Sequence, residues 1–332
     1  MASTRHISHL LLVAFLLLGA NEGTSPGASE GGAPGAKGAG APEALGGFAL
    51  TDLRVDRALL VSGGPGKDGI KSVDAPEFSD IGSATWVGRD TEVLGVEVEG
   101  DARAYPLRML EYHQIVNDVV GGVPVAVTYD PLSGTPFAWR RVSEGETLEL
   151  GVSGLLYNHN FLMFDRGSDS LWSQALGEAI AGPRAGQKLE RIEVRQETTG
   201  AWIARHMETR FLRPPFPEKV SYQLSPYQTY WVEDRVPFPV AAKDERFHAK
   251  ELVLGVTVNG TARAYVGSIL AREGGSADDR IDGKRVRVSY ESETGTFRWE
   301  ADEGVEVWEA YWFAWKAFHP KTEVWRADAP SG

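Results

Sequence analysis

The stretch Val93-Leu-Gly-Val-Glu-Val-Glu-Gly-Asp-Ala-Arg-Ala-Tyr105 returns 160 residues later as Val253-Leu-Gly-Val-Thr-Val-Asn-Gly-Thr-Ala-Arg-Ala-Tyr265, with ten of thirteen positions identical. A chain that repeats itself at long range is read first as a duplication. Each version predicts a β-hairpin: apolar, largely β-branched residues run into a short turn at Gly100 or Gly260 and out toward a tyrosine. Farther along, residues 117–135 match residues 278–296, sharing Asp118, Gly122, Val125, Val127, Tyr129, Gly134 and Thr135. Ala201-Trp-Ile-Ala-Arg-His206 then matches Ala314-Trp-Lys-Ala-Phe-His319, now at an offset of only 113. The shortened offset means that the second copy lacks an equivalent of roughly residues 145–195. One full copy (about 92–213) and one trimmed copy (about 252–326) result.

Within each copy, residues 107–116 of the first have the pattern of a helix. A strand ending at Tyr129 or Tyr290 follows, then a turn and a strand through Trp139 or Trp299. Residues 202–206 and 315–319 carry helical spacing, and residues 53–60 read as a short helix or a strand. Short strands punctuated by turns, with few helices, predict an α+β fold, predominantly antiparallel β with short helices, built from one full and one trimmed internal repeat. The expected organisation is a signal peptide at 1–20, a linker at 21–47 and a first repeat with a polar insert at 48–213. A connector at 214–251, rich in proline and aromatics up to Pro239, leads to the shortened repeat at 252–328.

Composition narrows the setting. Arg5 precedes nine apolar residues, 10–18, and the small pair Gly19-Ala20, the layout of a cleaved export signal with a mature start near Asn21. Nine residues fall short of the roughly 20 that span a bilayer, so no transmembrane anchor is expected after cleavage. Residues 21–47 are mostly Gly, Ala, Pro, Ser and Glu and should act as a tether. The protein is expected to be exported, periplasmic or extracellular. Lys and Arg number 34 against 46 Asp and Glu, a net charge of −12, with no basic run, so nucleic acid is not an expected partner. Cysteine is absent, which excludes thiolate ligands and a cysteine nucleophile. The glycine-rich residues 62–70 lack the Gly-Lys-Ser/Thr ending of a phosphate loop and read as a structural turn.

Two regions hold the candidate functional residues. His113-Gln-Ile-Val-Asn117-Asp118 leads to Val127-Thr-Tyr129-Asp130-Pro-Leu-Ser133-Gly134-Thr135, which places Asp130 and Ser133 at a strand end. His113 and Asn117 are one turn apart and would share a face on a helix. The insert adds Ser153, then Tyr157-Asn158-His159-Asn160, Asp165-Arg166 and Ser170-Leu-Trp172-Ser-Gln174. Catalytic candidates are His113, Asp130 and Ser133. Asn117, Tyr129, Asn158, Asp165, Trp172 and Gln174 could line a ligand pocket, while the Asn and Asp residues could equally serve turns.

The strings Gly63-Gly-Pro-Gly-Lys-Asp-Gly-Ile70, Ala102-Arg-Ala-Tyr-Pro-Leu107, His113-Gln-Ile-Val-Asn-Asp118 and Gly151-Val-Ser-Gly-Leu-Leu-Tyr-Asn158, with Ser170-Leu-Trp-Ser-Gln174, resemble the domain of unknown function 3179 family. That resemblance implies a secreted or cell-envelope protein and brings no activity with it. The family usually carries Tyr-Cys-Pro-Leu-Cys-Gly where this chain reads Tyr129-Asp130-Pro131-Leu132-Ser133-Gly134, and an acid where Gln114 stands. A thiol pair beside a histidine implies soft-metal or redox chemistry, which this chain cannot perform in that form.

Three functional readings follow. The first is a binding or scaffold module without the family's thiol site, with a small ligand or a cell-envelope component as partner. The second is a divalent metal ion, as cofactor or cargo, held by His113, Asp130 and His159. The third is a hydrolase with Ser133 or Ser153 as nucleophile and His113 as base, although neither serine lies in a Gly-x-Ser-x-Gly elbow.

Overall fold

The computed structural model describes residues 43–217 and 219–326. The expected signal peptide and most of the expected linker lie outside the described residues. The linker boundary shifts, because Ala44–Leu45 already pairs antiparallel with Phe48–Ala49. Gly46 and Gly47, at φ 58° and 90°, form the two-residue turn that only positive-φ residues close easily.

The two versions of the repeated stretch fold alike. Glu92–Val98 pairs with Asp101–Pro106, and Leu252–Val258 with Thr261–Val266, in one register that sets Gly95 opposite Ala104 and Gly255 opposite Ala264. Each hairpin gains an antiparallel strand on one edge, Arg195–Thr198 or Glu306–Tyr311. On the other edge lies a short parallel strand, Arg210–Leu212 or Glu323–Val324. Helices Leu107–His113 and Gly267–Arg272 follow the hairpins. Three-stranded antiparallel runs come next: Ile115–Val120, Val123–Asp130 and Thr135–Arg140 in one half, and Ser276–Ile281, Lys284–Glu291 and Thr296–Ala301 in the other.

Specific residues explain why these elements recur. A Cβ on Gly95 would sit 2.3 Å from the ring of Trp202, and one on Gly255 would sit 2.2 Å from Trp315, so only glycine lets each tryptophan lie flat on its strand. Helices Thr199–Ile203 and Trp312–Phe318 carry those tryptophans, whose Nε1 atoms donate to Thr209 and Thr322 Oγ1, both at 2.8 Å. The tyrosines that close the hairpins, Tyr105 and Tyr265, donate to Asp118 and Asp279 at 2.7 Å. Buried hydroxyls are thereby satisfied without water.

The first half alone contains an insert sheet, ordered Ala179–Ala181, Leu171–Ser173, Asn160–Asp165, Leu150–Tyr157 and Leu60–Ser62, all antiparallel. Residues 53–60 resolve into a 3-10 turn, Arg57–Leu59, feeding the last of these strands. One apolar core joins the halves: Phe137, Trp139, Met163 and Trp172 pack in the same cluster as Val253, Trp308, Trp312 and Trp315. Phe137 meets Trp308 edge-on at 5.1 Å. The architecture is β-rich and mostly antiparallel with short helices, and among the described residues no helix is long and apolar enough to cross a membrane.

One expected helix is shorter than its pattern. The helix stops at His113 because Gln114 adopts φ 59°, a left-handed cap whose N–H bonds to Leu110 O. From Ile115 the chain is strand, paired with Val123–Asp130. Its β-branched residues Ile115, Val116, Val119 and Val120 suit that state better than a helix. His113 and Asn117 therefore share no helical face.

Candidate functional site

Strand Val123–Asp130 ends where the insert sheet reaches over it, and the residues that meet there are polar and dry. Asp130, Ser133 and Gln174 are 0 % exposed, and Asn160 and Thr135 nearly so. Ser133 Oγ donates to Asp130 Oδ2 at 2.7 Å and lies 2.8 Å from Thr135 Oγ1. Asn160 Nδ2 reaches Asp130 Oδ2 at 3.0 Å and Gln174 Oε1 at 2.7 Å, while its Oδ1 accepts from Ala175 N. Gln174 Nε2 donates to Thr128 Oγ1 and to Thr135 O, both at 3.0 Å. Leu132 N and Phe161 N complete the shell of the carboxylate at 2.9 and 3.1 Å. None of the donors to Asp130 is cationic. Burial pushes its carboxyl above the usual carboxylate range, against the pull of the bonds from Ser133, Leu132, Phe161 and Asn160.

The turn also has a lid from the connector. Helix Gln228–Val232 sets Trp231 Nε1 on Pro131 O at 3.0 Å and Tyr230 OH on Leu132 O at 2.8 Å. Beneath, Tyr311 N donates to Ser133 O at 2.8 Å, and a Cβ on Gly134 would lie 3.0 Å from the Tyr311 ring. Insert, connector and second half thus all close on one six-residue turn.

The remaining candidates are engaged elsewhere. His113 is buried, with Nδ1 2.7 Å from Lys71 O and Nε2 2.7 Å from Tyr222 OH. Desolvation lowers its pKa against the bond to Lys71 O, which favours the neutral ring. His113 makes no hydrogen bond to Asp130 or Ser133. Asn117 bridges Asp74 Oδ1 and Leu150 O. Asn158 and His159, at φ 54° and 63°, form the two-residue turn of a hairpin, and Asn158 ties the halves by donating to Ala317 O. His159 approaches the Asp130 turn only through Tyr230, 3.4 Å from its Nε2, and burial lowers its pKa to about 4. Asp165 closes its own turn, accepting from Ser168 and from Trp172 Nε1 at 3.0 Å. Tyr129 is buried, its phenol pushed up first by desolvation. Ser153 Oγ donates to Leu162 O at 2.6 Å and accepts from Leu155 N, bridging the irregular register of its strand pair. Neither serine hydrogen-bonds a histidine. Among the described residues, no three His, Asp or Glu side chains are grouped to hold a metal ion.

Asn160, Thr128 and Thr135 complete the cage, yet nothing in their sequence context singles them out. Tyr230 and Trp231 had one available signal, the aromatic content of the connector.

A separate cleft of about 620 Å³ opens between helix Leu107–His113 and the connector, with Trp86, Glu92, Arg108, Glu111 and Tyr222 on its walls. Arg108 pairs with Glu111 at 3.1 Å, and Glu111 is pushed up by desolvation despite that pair. Tyr222 connects the cleft wall to His113.

The molecule is thus a β-rich protein of two alike halves, with a sealed polar cage in the larger one. The family profile described as "Protein of unknown function (DUF3179)" matches residues 67–305, and the chain belongs to that family. No curated protein and no solved structure matches it.

Proposed function

We propose that this chain is an exported binding module, an internally duplicated member of its family. In this reading the Asp130–Ser133 turn is a structural lock, and a small ligand or cell-envelope component binds in the cleft beside Arg108 and Glu111. The observation that carries the reading is the saturation of the cage. Asp130, Ser133, Thr135, Asn160 and Gln174 bond one another and adjacent backbone, leaving no side-chain polar atom free for substrate. The cleft, in contrast, has charged and aromatic walls and a volume in the range of ligand sites.

A fragment screen by thermal shift on the mature chain tests the cleft. Stabilising fragments should lose their effect in Arg108→Ala and Glu111→Gln and keep it in Ser133→Ala. Fragments indifferent to both cleft variants would overturn the reading. Elemental analysis addresses the metal alternative, which needs His113, Asp130 and His159 to release their present partners. One equivalent of tightly held zinc or copper in purified protein would favour that alternative. Intact-mass analysis of secreted material tests export through a start near Asn21.

A further inference from the structure

The cleft beside helix Leu107–His113 has a counterpart in the second half against which its charges can be judged. The shared hairpin register aligns Val93 with Val253 and Pro106 with Val266, so Glu92, Arg108 and Glu111 correspond to Leu252, Ser268 and Ala271. Hairpin and helix form in both halves, and in the second they form with none of these charges. The fold therefore does not require them. Charged side chains that folding leaves optional, gathered on the walls of one cleft, point to what the cleft holds.

Those charges do not balance. The carboxylates of Asp90, Glu92 and Glu111 line the cleft, and Arg108 is the one Lys or Arg among the lining residues. Arg108 Nη1 already donates to Glu111 Oε2 at 3.1 Å. Glu92 is met only by the amide nitrogen of Gln196 at 3.5 Å, and among the described residues neither it nor Asp90 forms an ion pair. Glu111 is 4 % exposed, so water does little to offset its charge. Desolvation raises its carboxyl against the pulls of Ser225 and Arg108, and repulsion from Glu92 adds to the rise. The other walls are apolar or aromatic, Trp86 and Met109 among them. Trp86 Nε1 donates to Leu212 O at 3.1 Å, which fixes the indole and leaves its ring as a π surface.

We propose that this cleft takes an organic cation, an amine or guanidinium on a small apolar body, whose charge answers Asp90, Glu92 and Glu111 and whose body packs on Trp86 and Met109. The proposal rests on the reading of the cleft as the ligand site and adds the chemical class of the ligand. An anion would find only Arg108, already held by Glu111, and would face three carboxylates. A neutral ligand would leave the acids without a counter-charge. A cation supplies it and gains the aromatic wall as well.

Phenethylamine, phenethyl alcohol and phenylacetate share one body and differ in charge, so their calorimetric titration into the mature chain at neutral pH separates the classes. The amine should bind about tenfold tighter than the alcohol, the gain of one charge-assisted hydrogen bond, and phenylacetate should bind weakest. Glu92→Gln and Asp90→Asn should each weaken the amine about threefold and leave the alcohol unchanged. Preference for the alcohol or for phenylacetate, abolished by Glu111→Gln or Arg108→Ala, overturns the cationic class and leaves the cleft standing as a ligand site. No binding by any probe, or binding indifferent to every cleft variant, overturns both. If the variants do not fold, salt decides: raising it from about 0.05 to about 0.5 M should weaken the amine and spare the alcohol. An amine affinity indifferent to salt overturns the proposal.

Discussion

Residues 130–135 and 291–296 are the same turn in two surroundings. Gly134 N bonds Asp130 O at 2.8 Å and Gly295 N bonds Glu291 O at 2.8 Å, with both glycines left-handed at φ 66° and 69°. In the first half Asp130 and Ser133 are fully buried, whereas Glu291 and Thr294 are exposed. The backbone is therefore set by the Gly-Thr pair and strand register, and the burial is imposed by what lies on top. The insert sheet and the connector helix turn an ordinary hairpin turn into a sealed polar cage.

The sharpest way to break this comparison is to remove both acids in turn. Asp130→Ala strands the donors of Leu132, Phe161 and Asn160 in a dry site and should cost about 3 kcal/mol or more in chemical denaturation. Glu291→Ala, at the exposed copy, should stay within about 0.5 kcal/mol. Similar costs at both positions would show that burial is not what separates the turns.

Next in size are the two glycines under tryptophan. Gly255→Ala and Gly95→Ala both force an indole off its strand, at about 1–3 kcal/mol each. Gly255 should be the worse site, because Trp315 lies in the core shared by both halves with Trp308 5.5 Å away, while Trp202 packs in a small peripheral cluster. Thermal midpoints of the two variants give the order directly.

His319 and His206 sharpen the contrast by pH. Both rings lie 3.8 Å from the equivalent tryptophan, Trp202 or Trp315, but His206 has Glu97 at 2.9 Å, whereas His319 faces Trp308 and burial lowers its pKa to about 4. A histidine whose folded value lies below its unfolded value of about 6.5 binds fewer protons folded than unfolded. Its stabilising contribution is complete above about 6.5 and is lost as pH falls through 4. Denaturation at pH 6.5 and 4.5 should show this slope in the wild type and a shallower one in His319→Phe. An unchanged slope would assign the acid sensitivity elsewhere.

The smallest effect concerns the helix caps. Gln114 at φ 59° and Gly275 at φ 79° do the same work: their N–H groups bond Leu110 O and Leu270 O, and their carbonyls accept from Tyr129 N and Tyr290 N. Gln114 also leaves its Oε1 buried without a partner. Gln114→Gly should raise stability by about 0.5 kcal/mol by relieving the left-handed strain. A loss would mean that the glutamine side chain contributes more than its backbone costs.

The hairpins were legible because alternating apolar residues and an acid- or Asn-Gly turn allow one register. The early stop of the first helix was not, since Gln114 is a sound helix former and only the pull of the following strand forces it left-handed. At the site, Asp130, Ser133 and Gln174 were named from their strings and do converge. His113 does not bond with them, because Lys71 and Tyr222, remote in sequence, take both of its ring nitrogens. Asn160 reaches the cage through the stacking order of sheets, and residue spacing carries no record of that order. Asn158 and Asp165 fill turns, the alternative that their residue types left open, and His159 shares the turn of Asn158.

The last strand of each half bears on when each half can finish during synthesis. The first hairpin receives its parallel strand at Arg210–Leu212 and its tryptophan from Thr199–Ile203. The second waits for Trp315 and for Glu323–Val324 before the groove over Gly255 is filled and its sheet is complete. A chain emerging from its amino end can therefore settle the first half while more than a hundred residues are still to come, with the second half held open until its final strand is free. A chain halted after Pro320 should show native-like exchange protection over Glu92–Val98 and little over Leu252–Val258.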